Sequence, residues 1–261
     1  MPLRIAFDLD GVFADMDGEL VRQAEILFGE TMTRRLKERA AAPKDEADSG
    51  PLISPAATKA PDDTPPMLKL NMTSRQQRKL WQHVETIENF WQSLQEIEPG
   101  VIARLAAVVA ERRWEIIFLT KRPRSAGANS QVQTQRWLES KGFPLPSVYV
   151  VQGSRGRIAA ALGLDIVIDD TPENCLDVVV DSKARAILVW REEQQHIPAT
   201  AKRLGIGVVT SVDDCLKILR QIDSPAAEKP GMIDKAMQRL GLKQPASAQT
   251  PLWRLDRGRP D

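Results

Sequence analysis

Residues 5–15 read IAFDLDGVFAD, a short apolar run that ends at two acidic residues and a glycine. Even counted from Leu3, the apolar run is too short for a helix and is typical of a buried strand. In open parallel sheets, ligands bind beyond the carboxyl ends of the strands. Asp8 and Asp10 are therefore expected at a functional edge of a sheet, although a plain turn after the strand is the alternative.

Five further apolar runs are predicted to be strands, at residues 116–119, 148–151, 166–168, 186–190 and 207–209. Apolar residues at helical spacing predict helices at 18–28, 101–110, 131–141, 157–162 and 212–222. Parallel strands need connections of helix length, so this alternation predicts an α/β protein with a parallel sheet covered on both faces. A mixed α+β domain is the alternative.

More than a hundred residues separate the first two predicted strands, which is far more than one helix requires. Residues 18–98 are therefore predicted to be a helical cap inserted after the first strand, with the core formed by residues 1–17 and 99–222. Within the cap, residues 40–66 are rich in Ala, Pro, Asp and Ser, which predicts a flexible insert, and a long helix is expected over 74–98. Residues 223–261 are predicted to be a peripheral or disordered tail.

Composition excludes several classes of protein. The 261 residues include 36 Lys and Arg against 35 Asp and Glu, so neither polymeric nucleic acid nor a membrane is an expected partner. Two cysteines cannot form a secreted disulfide framework, and no stretch reaches the roughly 18 apolar residues of a spanning helix. The first residues also lack the features of a signal peptide, so a cytoplasmic location is expected.

A second acidic pair, Asp169 and Asp170, follows the predicted strand at 166–168. Carboxylates this close repel one another unless a cation or a proton relieves them. Oxygen ligands of this kind suit Mg²⁺, which combines a few carboxylates with water and substrate phosphate. We therefore predict Mg²⁺ as a cofactor, with Asp8, Asp10, Asp169 and Asp170 as its ligands.

Four segments in this order resemble the motifs of the haloacid dehalogenase (HAD) superfamily of phosphohydrolases: DLDGVFAD at 8–15, FLT at 118–120, GSRGR at 153–157 and IDD at 168–170. The resemblance covers nearly all of residues 1–220. It implies a Rossmann-like three-layer core with a helical cap inserted after the first strand. DGVFAD together with IDDTPENC looks most like the branch that contains 5'(3')-deoxyribonucleotidases.

The resemblance also implies roles for individual residues. Asp8 would be the nucleophile that forms an aspartyl-phosphate, Asp10 the general acid and base, and Thr120 a donor to phosphoryl oxygens. Most relatives have a lysine in the third motif, where this chain offers Arg155 and Arg157. Arg157 is favoured because it lies twelve residues before Asp169, a spacing that one helix can cover.

Several neighbouring residues are candidates for contacts with the substrate. Lys121 and Arg122 are additional cations near the expected phosphate, and Arg155 would also contact it. Trp81 and Phe90 flank an apolar stripe of the cap and could stack on a nucleobase, although packing within the cap explains them equally well. Trp91 lies on the stripe itself and is expected in the core, as Cys175 is expected to be a buried structural thiol.

The sequence therefore predicts a Mg²⁺-dependent phosphomonoester hydrolase that acts on a small phosphorylated metabolite. A nucleoside 5'-monophosphate is the first candidate substrate, and a sugar phosphate remains open. The alternative is a catalytically weak or inactive binding or regulatory protein, because arginine replaces lysine in the third motif. Phosphoryl transfer to an acceptor other than water is a third hypothesis.

Overall fold

The structure, a computed structural model, describes residues 2–31, 33–34, 72–193 and 196–223. All six predicted strands are present and form one parallel sheet, which confirms the α/β fold class. In chain order the strands are β1 (Arg4–Asp8), β2 (Glu115–Thr120), β3 (Ser147–Val150), β4 (Ile166–Asp169), β5 (Arg185–Val189) and β6 (Gly207–Val209).

The order of the strands across the sheet is β3-β2-β1-β4-β5-β6. β1 lies between β2 and β4, so successive connections leave it toward opposite edges of the sheet. This is the topological switch point at which open α/β sheets bind their ligands. The loop that follows β1 therefore occupies the position predicted from its two acidic residues.

Helices cover both faces of the sheet. Ile5 and Phe7 of β1 pack in one hydrophobic cluster, whereas Ala6 packs in a second cluster on the opposite face. In the described ranges the helices with defined bounds are α1 (Met16–Phe28), α2 (Ser74–Thr86), α3 (Val101–Arg112), α4 (Ser130–Ser140), α5 (Arg155–Leu162), α6 (Pro172–Asp181), α7 (Ala199–Arg203) and α8 (Val212–Ile222). Two of them, α6 and α7, were not among the predicted helices.

The described helices of the insertion, α1 and α2, share the hydrophobic cluster that also contains Ile5 and Phe7. Their buried residues include Leu20 and Leu80. This part of the insertion therefore shares one hydrophobic core with the sheet. The proposed cap boundaries at residues 18 and 98 remain a prediction, and the flexible insert predicted at 40–66 lies outside the described residues, as does the tail from residue 224 onward.

The long helix predicted over residues 74–98 is wrong, because α2 ends at Thr86. A short 3₁₀ helix, Phe90–Gln92, follows after a break at Asn89, which has a left-handed backbone conformation. Asn89 N donates to Ala126 O (2.8 Å), and its side-chain Oδ1 accepts from Ala128 N (3.1 Å). These bonds to a distant loop replace the bonds that a continuing helix would make. None of the helices in the described ranges has the length and apolar character needed to cross a membrane.

Candidate active site

The predicted acidic residues meet at the carboxyl edge of the sheet. Asp8 ends β1 and Asp169 ends β4, while Asp10 and Asp170 lie in the loops that follow these strands. Asp8, Asp10 and Asp170 line a cavity of about 780 Å³, together with Lys121 and Arg155. A cavity of this size suits a small metabolite.

Arg155 joins two of these acids from the first turn of α5. Its Nη2 donates to Asp8 Oδ1, and its Nε lies 3.5 Å from Asp169 Oδ2. The arginine side chain is only 2% exposed. Its position depends on close packing of α5 on α6, because a Cβ atom at Gly156 would lie 2.1 Å from Asp177 O. The glycine at position 156 therefore allows the close helix packing that places Arg155 beside the two acids.

Two donor atoms of Arg155, Nε and Nη1, are buried without a hydrogen-bond partner among the described residues. Buried donors without partners are costly, particularly on a charged group. Arg155 lines the cavity, and a guanidinium matches the oxygens of a carboxylate or a phosphate. The arrangement is thus suited to an oxyanion ligand.

The acids carry more negative charge than Arg155 balances. Burial, followed by the charge of Asp169, raises the pKa of Asp8 well above its ordinary value, although Arg155 acts in the opposite direction. Burial also raises the pKa of Asp169. The same effect, with the charge of Asp169 added, raises the pKa of Asp170 to about 7. A cation in the site would favour the ionised form of all three carboxyl groups.

The ligand chemistry of Asp8, Asp169 and Asp170 fits a divalent cation of the Mg²⁺ type, since all three offer carboxylate oxygens and share an excess of negative charge. Asn174 Nδ2 donates to both oxygens of Asp169 (3.0 Å each), and Thr171 N donates to its Oδ1 (2.9 Å), so this carboxylate is held in place. No three His, Cys, Asp or Glu side chains in the described ranges are already gathered as a metal-binding group. A bound cation would have to draw these carboxylates together.

Asp10 is engaged differently from the other acids. Both of its carboxylate oxygens accept hydrogen bonds from Arg122, and Thr120 Oγ1 donates to Oδ2 (3.1 Å). These bonds argue against the predicted role of the Asp10 side chain as a metal ligand. They also direct the Thr120 hydroxyl proton to Asp10, whereas the sequence predicted that this hydroxyl would face a phosphoryl oxygen.

The preference for Arg157 over Arg155 is not supported by the structure. Arg157 is exposed, and the contact it makes near the helix start is from its backbone N to Ser154 Oγ (3.4 Å). Because α5 begins at Arg155, a residue two positions later points to a different side of the helix. Of the two arginines that the sequence offered near the helix start, it is Arg155 that contacts the acids.

The two aromatic residues proposed for base stacking are in the core. Trp81 is 7% exposed and Phe90 is fully buried, and neither lines the cavity. Trp91 is also buried, as predicted. Trp190, which directly follows β5, lines the cavity instead. Its place at the carboxyl end of a predicted strand was the sequence signal that could have identified it.

The conformation of the loop after β1 requires a glycine at one position and a capping acid at another. Gly11 has φ of +86°, and a Cβ atom there would lie 1.9 Å from Asp170 Oδ2. Asp15 caps α1 by accepting from Gly18 N (2.9 Å) and also lines the cavity. Cys175 is buried, which confirms its predicted structural character, and burial raises the pKa of its thiol.

No protein-family model and no curated protein matches the chain. Among solved structures, it is similar to a protein described as a β-phosphoglucomutase from Thermotoga maritima, with 17% identity over 84% of this chain and 99% of that one and a TM-score of 0.48. A HAD family hydrolase from Deinococcus radiodurans R1, with bound phosphate and sodium, shares 18% identity over 94% and 99% of the two chains, with a TM-score of 0.47.

A third similar structure is a hydrolase from Pseudomonas syringae, with 18% identity over 85% of this chain and 100% of that one and a TM-score of 0.46. Likenesses at this level establish neither an activity nor a substrate for the chain. The deoxyribonucleotidase branch therefore remains a prediction from the sequence.

Proposed function

We propose that this chain is a Mg²⁺-dependent phosphomonoester hydrolase of the HAD type, in which Asp8 forms an aspartyl-phosphate. The observation that carries the proposal is the buried Arg155, which lines the cavity and forms ion pairs with both Asp8 and Asp169. A nucleophile, an anion-binding cation and surplus carboxylates at one sheet edge are the parts that phosphoryl transfer needs.

The first step would transfer the phosphoryl group to the protein. An oxygen of Asp8 attacks phosphorus, the bond between phosphorus and the ester oxygen breaks, and its electron pair stays on that oxygen. The leaving oxygen takes the proton carried by Asp10. Arg155 offsets the charge on the phosphoryl oxygens during this transfer.

The second step would regenerate Asp8. The Asp10 carboxylate takes a proton from water as the water oxygen attacks phosphorus, and the bond between phosphorus and Asp8 breaks to release inorganic phosphate. A divalent cation held by Asp8, Asp169 and Asp170 would supply compensation of negative charge on the phosphoryl group and the nucleophile.

The substrate we propose is a small phosphorylated metabolite, because the cavity holds about 780 Å³. A nucleoside 5'-monophosphate and a sugar phosphate are the two candidates. With Trp81 and Phe90 buried, base stacking by those side chains no longer supports the nucleotide. Trp190 lines the cavity, and an aromatic residue there is compatible with either a base or the apolar face of a sugar.

The test compares wild type with Asp8→Asn on a panel of nucleotide and sugar phosphates, with Mg²⁺ and with chelator. Wild type should release phosphate only with the metal, and the variant should be slower by on the order of 10³-fold or more because the nucleophile is lost. Equal rates for the two proteins would exclude Asp8 as the nucleophile. Product formed from an added acceptor without free phosphate would indicate transfer to that acceptor.

The alternative is a binding protein with little turnover, and one contact favours it. Arg155 donates directly to Asp8 Oδ1, and a hydrogen bond from a cation weakens that oxygen as a nucleophile. Calorimetry with inorganic phosphate would address this alternative, with Arg155→Ala expected to abolish binding and the exposed Arg157→Ala to leave it unchanged. Tight phosphate binding without turnover on the whole panel would favour the binding protein over the hydrolase.

A further inference from the structure

We propose that Arg122 is a positioning residue that fixes the orientation of the carboxyl group of Asp10, the general acid and base of the proposed reaction. This inference rests on the proposed function and adds a residue to its machinery. The sequence offered Arg122 only as a further cation near the phosphate. The geometry points to contact with the acid instead.

Arg122 binds the Asp10 carboxylate through two of its nitrogen atoms. Nη2 donates to Oδ1 (2.7 Å), and Nε lies 3.0 Å from both Oδ1 and Oδ2. The arginine side chain has no exposed surface, and that of Asp10 is 13% exposed. A buried pair with two N–H donors on one carboxylate fixes the plane of that carboxylate as well as its position.

Arg122 is itself held by rings on two sides. The guanidinium carbon lies 5.1 Å from the Trp91 ring centroid and 5.6 Å from that of Trp137, within the range of cation–π contacts. Each indole is fixed in turn, since Trp91 Nε1 donates to Pro123 O (2.9 Å) and Trp137 Nε1 donates to Leu94 O (2.8 Å). The guanidinium therefore has little freedom to leave Asp10.

The hydroxyl group of Thr134 also holds the guanidinium in place. Arg122 Nη1 donates to Thr134 Oγ1 (3.0 Å), whose own proton goes to Ser130 O (2.7 Å). Every nitrogen of the guanidinium is thereby used within the protein. Arg155 differs, because two of its nitrogens have no hydrogen-bond partner among the described residues.

The two oxygens of Asp10 are not equivalent. Oδ1 accepts from two N–H groups of Arg122, neither of which can turn away from it. Oδ2 shares Nε and also accepts from Thr120 Oγ1, a hydroxyl that can rotate. Both bonds on Oδ1 are therefore fixed, whereas Oδ2 has one fixed bond and one that can adapt.

The consequence for the reaction is specific. In the first step of the proposed reaction the proton of Asp10 moves to the ester oxygen as the bond between that oxygen and phosphorus breaks, and Asp10 is left as the carboxylate that Arg122 holds in place. An alkyl phosphate needs this proton because an alkoxide is a poor leaving group. A 4-nitrophenyl phosphate leaves as a stable phenolate and needs it far less.

The experiment measures kcat and KM of wild type, Arg122→Lys and Asp10→Asn on glycerol 2-phosphate and on 4-nitrophenyl phosphate, with Mg²⁺. Arg122→Lys should lose at least about 10²-fold in kcat on the alkyl ester and less than about 10-fold on the aryl ester, with KM unchanged. The exposed Arg124→Lys, two residues away, should match wild type on both substrates.

The ratio of the two rates does not depend on the fraction of folded enzyme, so instability of the variant cannot imitate the result. If Arg122→Lys does not fold, Thr134→Val removes the bond to Nη1 and should shift the same ratio in the same direction. Equal losses on both esters, with Asp10→Asn still selective, would overturn the role of Arg122. A nonselective Asp10→Asn, or wild type without turnover, would instead refute the proposed function on which that role rests.

Discussion

The pKa of Asp170 reflects the burial of neighbouring carboxyl groups whose negative charge the protein does not fully neutralise. Burial and the charge of Asp169 raise its pKa from 3.8 to about 7. For an acid, a raised pKa in the folded state means that stability is lost as pH rises from the unfolded value through the folded one. Asp170 should therefore destabilise the metal-free protein most at and above pH 7.

We predict that Asp170→Asn raises the melting temperature of the protein in chelator at pH 8, and that the gain shrinks as pH falls toward 4. The free energy involved is at most a few kcal/mol, because one pKa unit corresponds to about 1.4 kcal/mol. Melting curves of both proteins across this pH range are the measurement. A gain that is constant with pH would show that Asp170 does not titrate as described.

At the scale of elements, the loop after β1 is tied to distant segments by one arginine. Arg191 donates to Gly11 O (2.5 Å) and Val12 O (3.0 Å), and pairs with Glu98 (2.5 Å). Glu98 also accepts from Val212 N at the start of α8 (2.9 Å). The loop that carries Asp10 is thus connected to the loop after β5 and to the helix α8.

We predict that Arg191→Met costs about 1.5–3 kcal/mol of stability, the range for hydrogen bonds to charged groups, and lowers kcat because the loop loses its anchor. The control is Arg104→Met, which removes an ion pair with Asp213 at the same helix start. Both partners of that pair are nearly half exposed, so its loss should cost under about 1 kcal/mol and leave kcat unchanged. Urea unfolding and steady-state kinetics decide between these outcomes, and equal effects of the two variants would refute the anchoring role.

The strands were predictable from sequence because each contains a short apolar run, and the observed ends differ by one residue or less. The strands β1, β4 and β5 are almost wholly buried, whereas β3 at the sheet edge exposes Tyr149 and Val150. The helix α6 was not predicted, because the exposed apolar residues Leu176 and Val180 obscure the helical spacing of its buried residues. The short helix α7 spans five residues, too few for periodicity to appear. The break after α2 depends on bonds to residues 126 and 128, which no local pattern reveals.

The proximity of Asp8 and Asp169 was predictable from the sequence, because parallel strands present their carboxyl ends at one edge of the sheet. Which basic residues contact those acids was not predictable from the sequence. The choice between Arg155 and Arg157 depends on where α5 begins, and the burial of Arg122 depends on Trp91 and Trp137, which come from different elements. Contacts between distant segments therefore decide which cation serves which acid.

If Asp8 becomes phosphorylated during turnover, the acyl phosphate can be trapped and located. Wild type is mixed with a phosphomonoester that it hydrolyses and with Mg²⁺, quenched, and reduced with borohydride, and the modified residue is located by mass spectrometry of peptides. We predict conversion of Asp8 to homoserine only when the substrate is present, and none in Asp8→Asn. Turnover of the same substrate with the modification at another residue, or with no modification of Asp8, would contradict the account.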